Sequence, residues 1–193
     1  MMRLCPYAVL VLLAAAGPWE DTHAASASLN VQDSAVIMND RGEGRILIRT
    51  QDIGDMRNAA LGRAILILPL GGNTAQRTLH VQVHPVTRSW DPLGVTWNSG
   101  WSRPGGDYLD DLYARCLIDL AGGAATVGID VTSIVREILD GSVEAHGFLL
   151  TVPPHDGAGL LAADLARFQR VADGRLEIKY RTVGRGRPRG ATR

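Results

Sequence analysis

The sequence predicts an all-β domain: a jelly-roll-like antiparallel β-sandwich interrupted by one short helix. Three observations lead there. Short apolar runs recur between clusters of Gly, Pro, Asn, Asp and Ser, the mark of many short strands joined by turns. Two of these runs alternate strictly between apolar and polar residues, and a single stretch has helical spacing. The 193 residues, 46% of them hydrophobic, suffice for one domain with a sizeable core and are short for two.

The chain opens on a leader. Met1-Met2-Arg3 is a short basic start, and Ala8–Ala16 (AVLVLLAAA) is an apolar run too short to span a bilayer. Pro18 ends the run, and small-residue sites follow, with Ala25-Ser26-Ala27 in the A-x-A form. The expectation is a signal peptide over residues 1–27, removed near Ala24 to Ala27, and a secreted or periplasmic protein with no membrane insertion after its removal. Cys5 lies inside the leader, so Cys116 would be the only cysteine of the mature chain and no internal disulfide could form.

The domain is expected over residues 28–183. Its predicted strands are Ser34–Met38, Arg45–Thr50, Ala64–Leu70, Leu79–Thr87, Arg115–Leu120, Val127–Val131, Gly147–Val152, Ala166–Val171 and Leu176–Thr182. The clearest alternation puts Leu79, Val81 and Val83 on one face and His80, Gln82 and His84 on the other, a solvent face. LEIKY repeats it, with Leu176, Ile178 and Tyr180 inward and Glu177 and Lys179 outward. In DVTSIVREILDGS, Ile134, Val135, Ile138 and Leu139 recur at helical spacing, with Thr132 or Ser133 placed to cap the start and Gly141 to end it. That helix, about two turns long, is expected to cover an open end or edge of the sandwich. The tail Gly184–Arg193 (GRGRPRGATR) has no apolar periodicity and reads as a basic, disordered segment.

Twenty basic and twenty acidic residues balance. A nucleic-acid-binding domain is usually clearly basic, so no nucleic-acid partner is expected.

The stretch Arg88–Trp101 (RSWDPLGVTWNSGW) holds three of the chain's four tryptophans. The indoles could form an apolar platform for a sugar, or they could pin a loop to a core. Trp97 shares the strand parity of Val95 and so should point inward beside it. Trp101 lies between NSG and SRPGG, an exposed turn that could leave its ring partly open.

Several motifs in order carry a resemblance. They are Arg45-x-Leu47-x-Arg49; Trp90 followed by Thr96-Trp97; Trp101 with Pro104-Gly105-Gly106-Asp107-Tyr108; Asp130-Val131-Thr132 with Val135; Gly147-Phe148 with Leu150; and Leu176, Ile178 and Tyr180. From about Val31 to Arg181 the chain resembles the DNRLRE domain family, secreted β-sandwich modules that include alginate-binding carbohydrate-binding modules. The segment between Asp33 and Arg45 is shorter than usual for such sequences, and Asp91-Pro92-Leu93-Gly94 replaces their acidic, Ser/Thr-rich link. Because Trp90, Trp97 and Trp101 fall on recurring positions of the family, the resemblance implies a packing role for them. Trp90, Trp97 and Tyr180 are therefore expected in the core, while Trp101 is divided between packing and ligand contact.

Catalytic signatures are scarce. The chain has no H-E-x-x-H, no G-x-S-x-G and no phosphate-cradling Gly loop between strand and helix. His80 and His84, four residues apart on a strand, have Cα atoms ~13 Å apart and would not close on one metal. Asp107, Asp110 and Asp111 are weak candidates for calcium through oxygen ligands; no other cofactor is expected. His155 and Asp156 fall in a loop, and nothing else marks them as a catalytic pair.

The expected function is a non-catalytic, secreted module that binds polysaccharide, an acidic glycan such as alginate by the resemblance, or that serves as a surface or matrix component. Arginine would be the natural partner of an acidic glycan, since its fork matches a carboxylate and Lys179 is the only lysine. The candidate ligand residues are Arg88, Trp101 and Arg103, then His80, Gln82 and His84. Two alternatives stand beside this: a polysaccharide lyase or hydrolase on a jelly-roll scaffold, and a purely structural assembly protein.

Overall fold

In a computed structural model, the described residues are 23–53, 56, 59–71, 77–120, 125–153 and 159–182. Alternating apolar residues build eight strands: β1 (His23–Met38), β2 (Gly44–Thr50), β3 (Ala59–Pro69), β4 (Thr78–Pro85), β5 (Ala114–Asp119), β6 (Thr126–Asp130), β7 (Phe148–Thr151) and β8 (Arg175–Thr182). All pairings are antiparallel, in the order β5-β4-β7-β2-β1-β8-β3-β6.

One long strand joins two sheets. The first half of β1, His23–Asn30, pairs with β8, and the second half, Val31–Met38, pairs with β2. Where the pairing changes, the register skips between Val31 and Asp33. Gln32 is the extra residue of a β-bulge, which bends the strand from one sheet into the other. Sheet I is then β1-β8-β3-β6 and sheet II is β2-β7-β4-β5, the strand order of a jelly roll. The end strands β5 and β6 approach each other and nearly close the sheet.

The core lies between the two inner faces. Sheet I contributes Ala64, Leu66, Leu68, Ile129, Leu176 and Ile178, while sheet II contributes Ile46, Ile48, Leu79, Val81, Val83, Phe148 and Leu150. Both strictly alternating strands point inward the residues that the sequence predicts. Tyr180 is only partly buried, packed at the rim of this core.

The predicted helix is α1 (Thr132–Leu139), which buries Ile134, Val135 and Leu139 against the end of the sandwich beside β3. Its start is capped differently from the expectation. Thr132 is the first helical residue, and its hydroxyl accepts the amide of Ala64 at 2.9 Å while the Asp130 carboxylate accepts the Thr132 amide at 3.1 Å. Gly141, at φ +77°, ends the helix as predicted.

Two expectations are corrected. The helix is not the only one, and the predicted strand Ala166–Val171 is not a strand. A short helix α2 (Ala162–Leu165) runs into two 3-10 turns, Ala166–Phe168 and Val171–Asp173. Leu165, Phe168 and Val171 are buried at steps of three, the 3-10 period. The Asp164 carboxylate accepts the Leu161 amide at 2.9 Å and pairs with Arg77, which fixes this segment to the start of β4.

His23–Ala27 already form ladder with β8, so the sheet begins five residues before the expected domain start at Ser28. The rest of the expected leader, the pair His155 and Asp156, and the basic tail lie outside the described residues. Among the described residues, no helix is long and apolar enough to cross a membrane.

Candidate functional site

The outer face of sheet II carries a second apolar cluster. Arg45, Leu47 and Arg49 point outward from β2, Leu149 from β7 and Ile37 from β1, and the loop between β4 and β5 folds back over them. Ile37, Leu47, Val86, Trp90 and Leu149 are buried in this layer, and Val95, Trp97, Trp101 and Tyr108 pack on it. The tryptophans therefore pin a loop onto the back of a sheet. Trp90 is 5% exposed and donates its indole N–H to the His146 carbonyl at 3.0 Å. Trp97 and Trp101 are half-buried, and Trp101 donates to the Thr96 carbonyl at 2.9 Å, so its polar edge is turned into its own loop.

Two arginines clamp this loop from below. The Arg45 guanidinium lies 4.7 Å from the Trp97 ring centroid and 5.3 Å from that of Tyr108, and it donates to the Gly105 carbonyl at 2.6 Å. Arg49 lies 4.5 Å from the Trp90 centroid, donates to the Trp90 carbonyl, and pairs with Asp33 at 2.8 Å. Sequence reasoning did not mark either as a site residue. The signal was there in the R-x-L-x-R motif, whose two arginines sit under two of the tryptophans.

The predicted ligand pair Arg88 and Arg103 comes together at one open depression of about 470 Å³, lined also by Thr87, Ser102, Asp107 and Tyr108. Each is already engaged. Arg88 is 3.6 Å from Asp107, while Arg103 bonds Asp110 at 3.0 Å and the Tyr108 carbonyl at 2.9 Å and lies over the Tyr108 ring at 4.6 Å. The Arg103 hydrogen bond and charge hold the Asp110 carboxyl below its ordinary range. Burial pushes the Asp107 carboxyl up, but hydrogen bonds from Ser102 and the charge of Arg88 outweigh it and leave the group lowered.

Asp107, Asp110 and Asp111, the weak calcium candidates, lie on the loop between β4 and β5. Asp107 and Asp110 face arginines, and among the described residues no three His, Cys, Asp or Glu side chains are grouped as a metal would need.

The polar face of β4 divides. His80 is exposed and Gln82 half-exposed, as predicted, but His84 is 3% exposed and the solvent-face expectation fails for it. The returning loop covers it, with the Tyr108 ring 4.8 Å away edge-on and the Tyr113 ring at 5.5 Å. His84 Nδ1 lies 2.8 Å from the Leu109 carbonyl; a carbonyl only accepts, so Nδ1 carries the proton of the neutral ring. Burial lowers the His84 pKa, against the opposing pull of that hydrogen bond.

His80 and Gln82 instead line a trough of about 440 Å³ with Arg115, Leu117 and Pro153. Cross-strand register makes this trough, since His80 faces Leu117 and Gln82 faces Arg115. Arg115, missed in the sequence, lies 4.9 Å from the Tyr113 centroid and donates to its hydroxyl at 2.6 Å. Contacts thus run from the trough through Arg115, Tyr113, His84 and Tyr108 to Arg103 at the open depression.

The chain matches no protein-family model and no curated protein.

Proposed function

We propose that this chain is a non-catalytic, secreted β-sandwich module that binds an acidic polysaccharide across the outer face of sheet II. The observation that carries the reading is the relay Arg115–Tyr113–His84–Tyr108–Arg103, which links two surface depressions through rings and guanidinium groups. A flexible polymer needs repeated shallow contacts, and guanidinium forks between aromatic faces offer carboxylates a partner at intervals. Arg115 is the strongest of them, because among the described residues it is exposed and is held by the Tyr113 hydroxyl, not by a carboxylate. Arg88 and Arg103 each face a carboxylate, so a glycan would share them with Asp107 and Asp110. The motifs that suggest a DNRLRE-type module support the same reading, since R-x-L-x-R, T-W and P-G-G pack on one another as one cluster.

A glycan panel of alginate, pectate and neutral polysaccharides, run by affinity electrophoresis with a product assay on the same samples, tests it. Binding of acidic polymers that weakens with salt and with Arg115→Ala is expected. Release of unsaturated or reducing-end products would replace the module with an enzyme, and an inert protein would leave the assembly role.

A further inference from the structure

The second half of β1 is the outer strand of sheet II, with β2 on one side and no described strand on the other. Backbone hydrogen bonds fix which groups it leaves open. The Asn39 amide donates to the Glu43 carbonyl at 3.0 Å, so Asn39 and Glu43 form a hydrogen-bonded pair at the end of the hairpin. Alternation along the antiparallel ladder then makes Ile37 with Arg45, and Ala35 with Leu47, hydrogen-bonded pairs as well. Gly44 agrees, since its amide turns away from Met38 and donates to the Leu160 carbonyl at 2.7 Å. The N–H and C=O groups of Ser34, Val36 and Met38 therefore point away from β2, and among the described residues no backbone group meets them.

This edge lacks the usual guards. Native edges are blunted by charge, proline or a bulge, yet Ser34–Met38 (SAVIM) holds no charge, proline or glycine. The bulge lies before it, at Gln32. The end strands β5 and β6, by contrast, carry Arg115, Asp119 and Asp130 and approach each other. On the open edge Val36 is 49% exposed and Met38 43%, two of the few large apolar side chains that the described residues leave to solvent. Val36 shares the inward face of its ladder partner Ile46, which is fully buried, so the exposed strip continues the core at its margin.

We infer that this edge is an interaction surface for a second copy of the chain, paired antiparallel about a twofold axis at Val36. That register is self-complementary. It sets Val36 against Val36 of the second copy and Ser34 against its Met38, and each pair exchanges its open N–H and C=O groups. Side chains agree with backbone, because the two exposed valines meet at the axis with a methionine on either side, all on one face. No like charges oppose within the paired strands, since Asp33 falls across from Asn39 and is already held by Arg49 at 2.8 Å. A foreign strand would need its own match to this pattern, whereas a second copy carries it. Five residues a side fall short of the roughly 20–30 of a standard interface, so the dimer is weak and comes apart on dilution. It is independent of the glycan reading, whose Arg115 lies on β5 at the far edge of sheet II.

Sedimentation velocity of the full chain over a concentration series, together with cysteine crosslinking, tests this. A dimer that grows with concentration is expected, and Val36→Lys, which sets two ammonium groups face to face, should weaken it at least ~10-fold. Val36→Cys should form a covalent dimer under mild oxidation, because facing residues of a hydrogen-bonded pair have Cα atoms ~5.5 Å apart, within disulfide reach. Met38→Cys should crosslink no more than the wild-type chain, since the two copies of Met38 lie four residues out of register, ~14 Å apart. Arg115→Ala should leave the dimer unchanged. A chain that stays monomeric at every concentration, a dimer that survives Val36→Lys, or crosslinking through Met38→Cys as efficient as through Val36→Cys would each overturn the inference. The two cysteine variants decide the matter if Val36→Lys lowers the melting temperature.

Discussion

Arg45 carries the Trp97 indole on its guanidinium face, 4.7 Å from the ring centroid. The contact joins β2 to the long loop before β5, and Arg49 repeats it under Trp90 at 4.5 Å. Each pair adds ~0.5–2 kcal/mol to the apolar burial. Trp90→Ala should cost ~3–5 kcal/mol, since its ring is buried. Trp97→Ala removes a half-buried ring and should cost about 2 kcal/mol. Urea unfolding checks both, and a Trp97→Ala protein less stable than Trp90→Ala would reverse the order.

Gly105 sits against both partners of that clamp. At φ +87°, a Cβ there would lie 2.8 Å from Arg45 Nη1 and 3.0 Å from Trp97. Gly42, at φ +76°, has open space around the same position. Gly42→Ala should therefore cost only the backbone penalty, ~1–2 kcal/mol. Gly105→Ala should cost more than that and should also shift the tryptophan fluorescence. Equal melting temperatures for the two variants would mean that the clamp gives way freely.

His84 should make stability depend on pH. The unfolded ring takes up a proton near its ordinary value of 6.5, and the folded ring, with its lowered pKa, only at lower pH. Between the two the unfolded chain binds more protons, so stability is fully present above ~6.5 and is lost as pH falls toward the folded pKa. A second loss, from Asp107, Asp110 and Asp130, belongs to the range below their ordinary 3.8. His84→Asn, which keeps a donor for the Leu109 carbonyl, should flatten the first window and spare the second. Chemical denaturation at a series of pH values reads this directly.

If the protein is exported and processed near the A-x-A site, cleavage before Ala25 is expected over cleavage after Ala27. Ala25, Ala27 and Leu29 are the half-buried positions of the first half of β1, and Ala25 pairs with Tyr180. A chain that starts at Ser28 loses the Ala25 and Ala27 rungs and should melt lower than one that starts at Ala25. Mass spectrometry of the exported form would show which terminus is used.

Alternation made the strands legible wherever one face meets the core, as in β4 and β8. It could not show what returns to the other face. His84 has the parity of a solvent residue, and only the loop that covers it makes it a buried one. Arg45 and Arg49 were hidden in the same way, because an outward arginine on a strand looks solvated until a ring is laid on it. Arg115 becomes visible only through register, as the neighbour of Gln82. Ala166–Val171 reads as a strand because six residues hold too few repeats to tell a step of three from a step of two.

The seam between first and last strands governs when this chain can fold. β8 lies between β1 and β3, so sheet I has no centre until Thr182 has been made. Pairs as distant in sequence as Ala25 and Tyr180 give the fold a high contact order, for which closing the loop costs entropy before any contact returns it. Folding should therefore be slow and should wait for the synthesis of β8. Until β8 arrives, the facing edges of β1 and β3 are open to pairing with other chains.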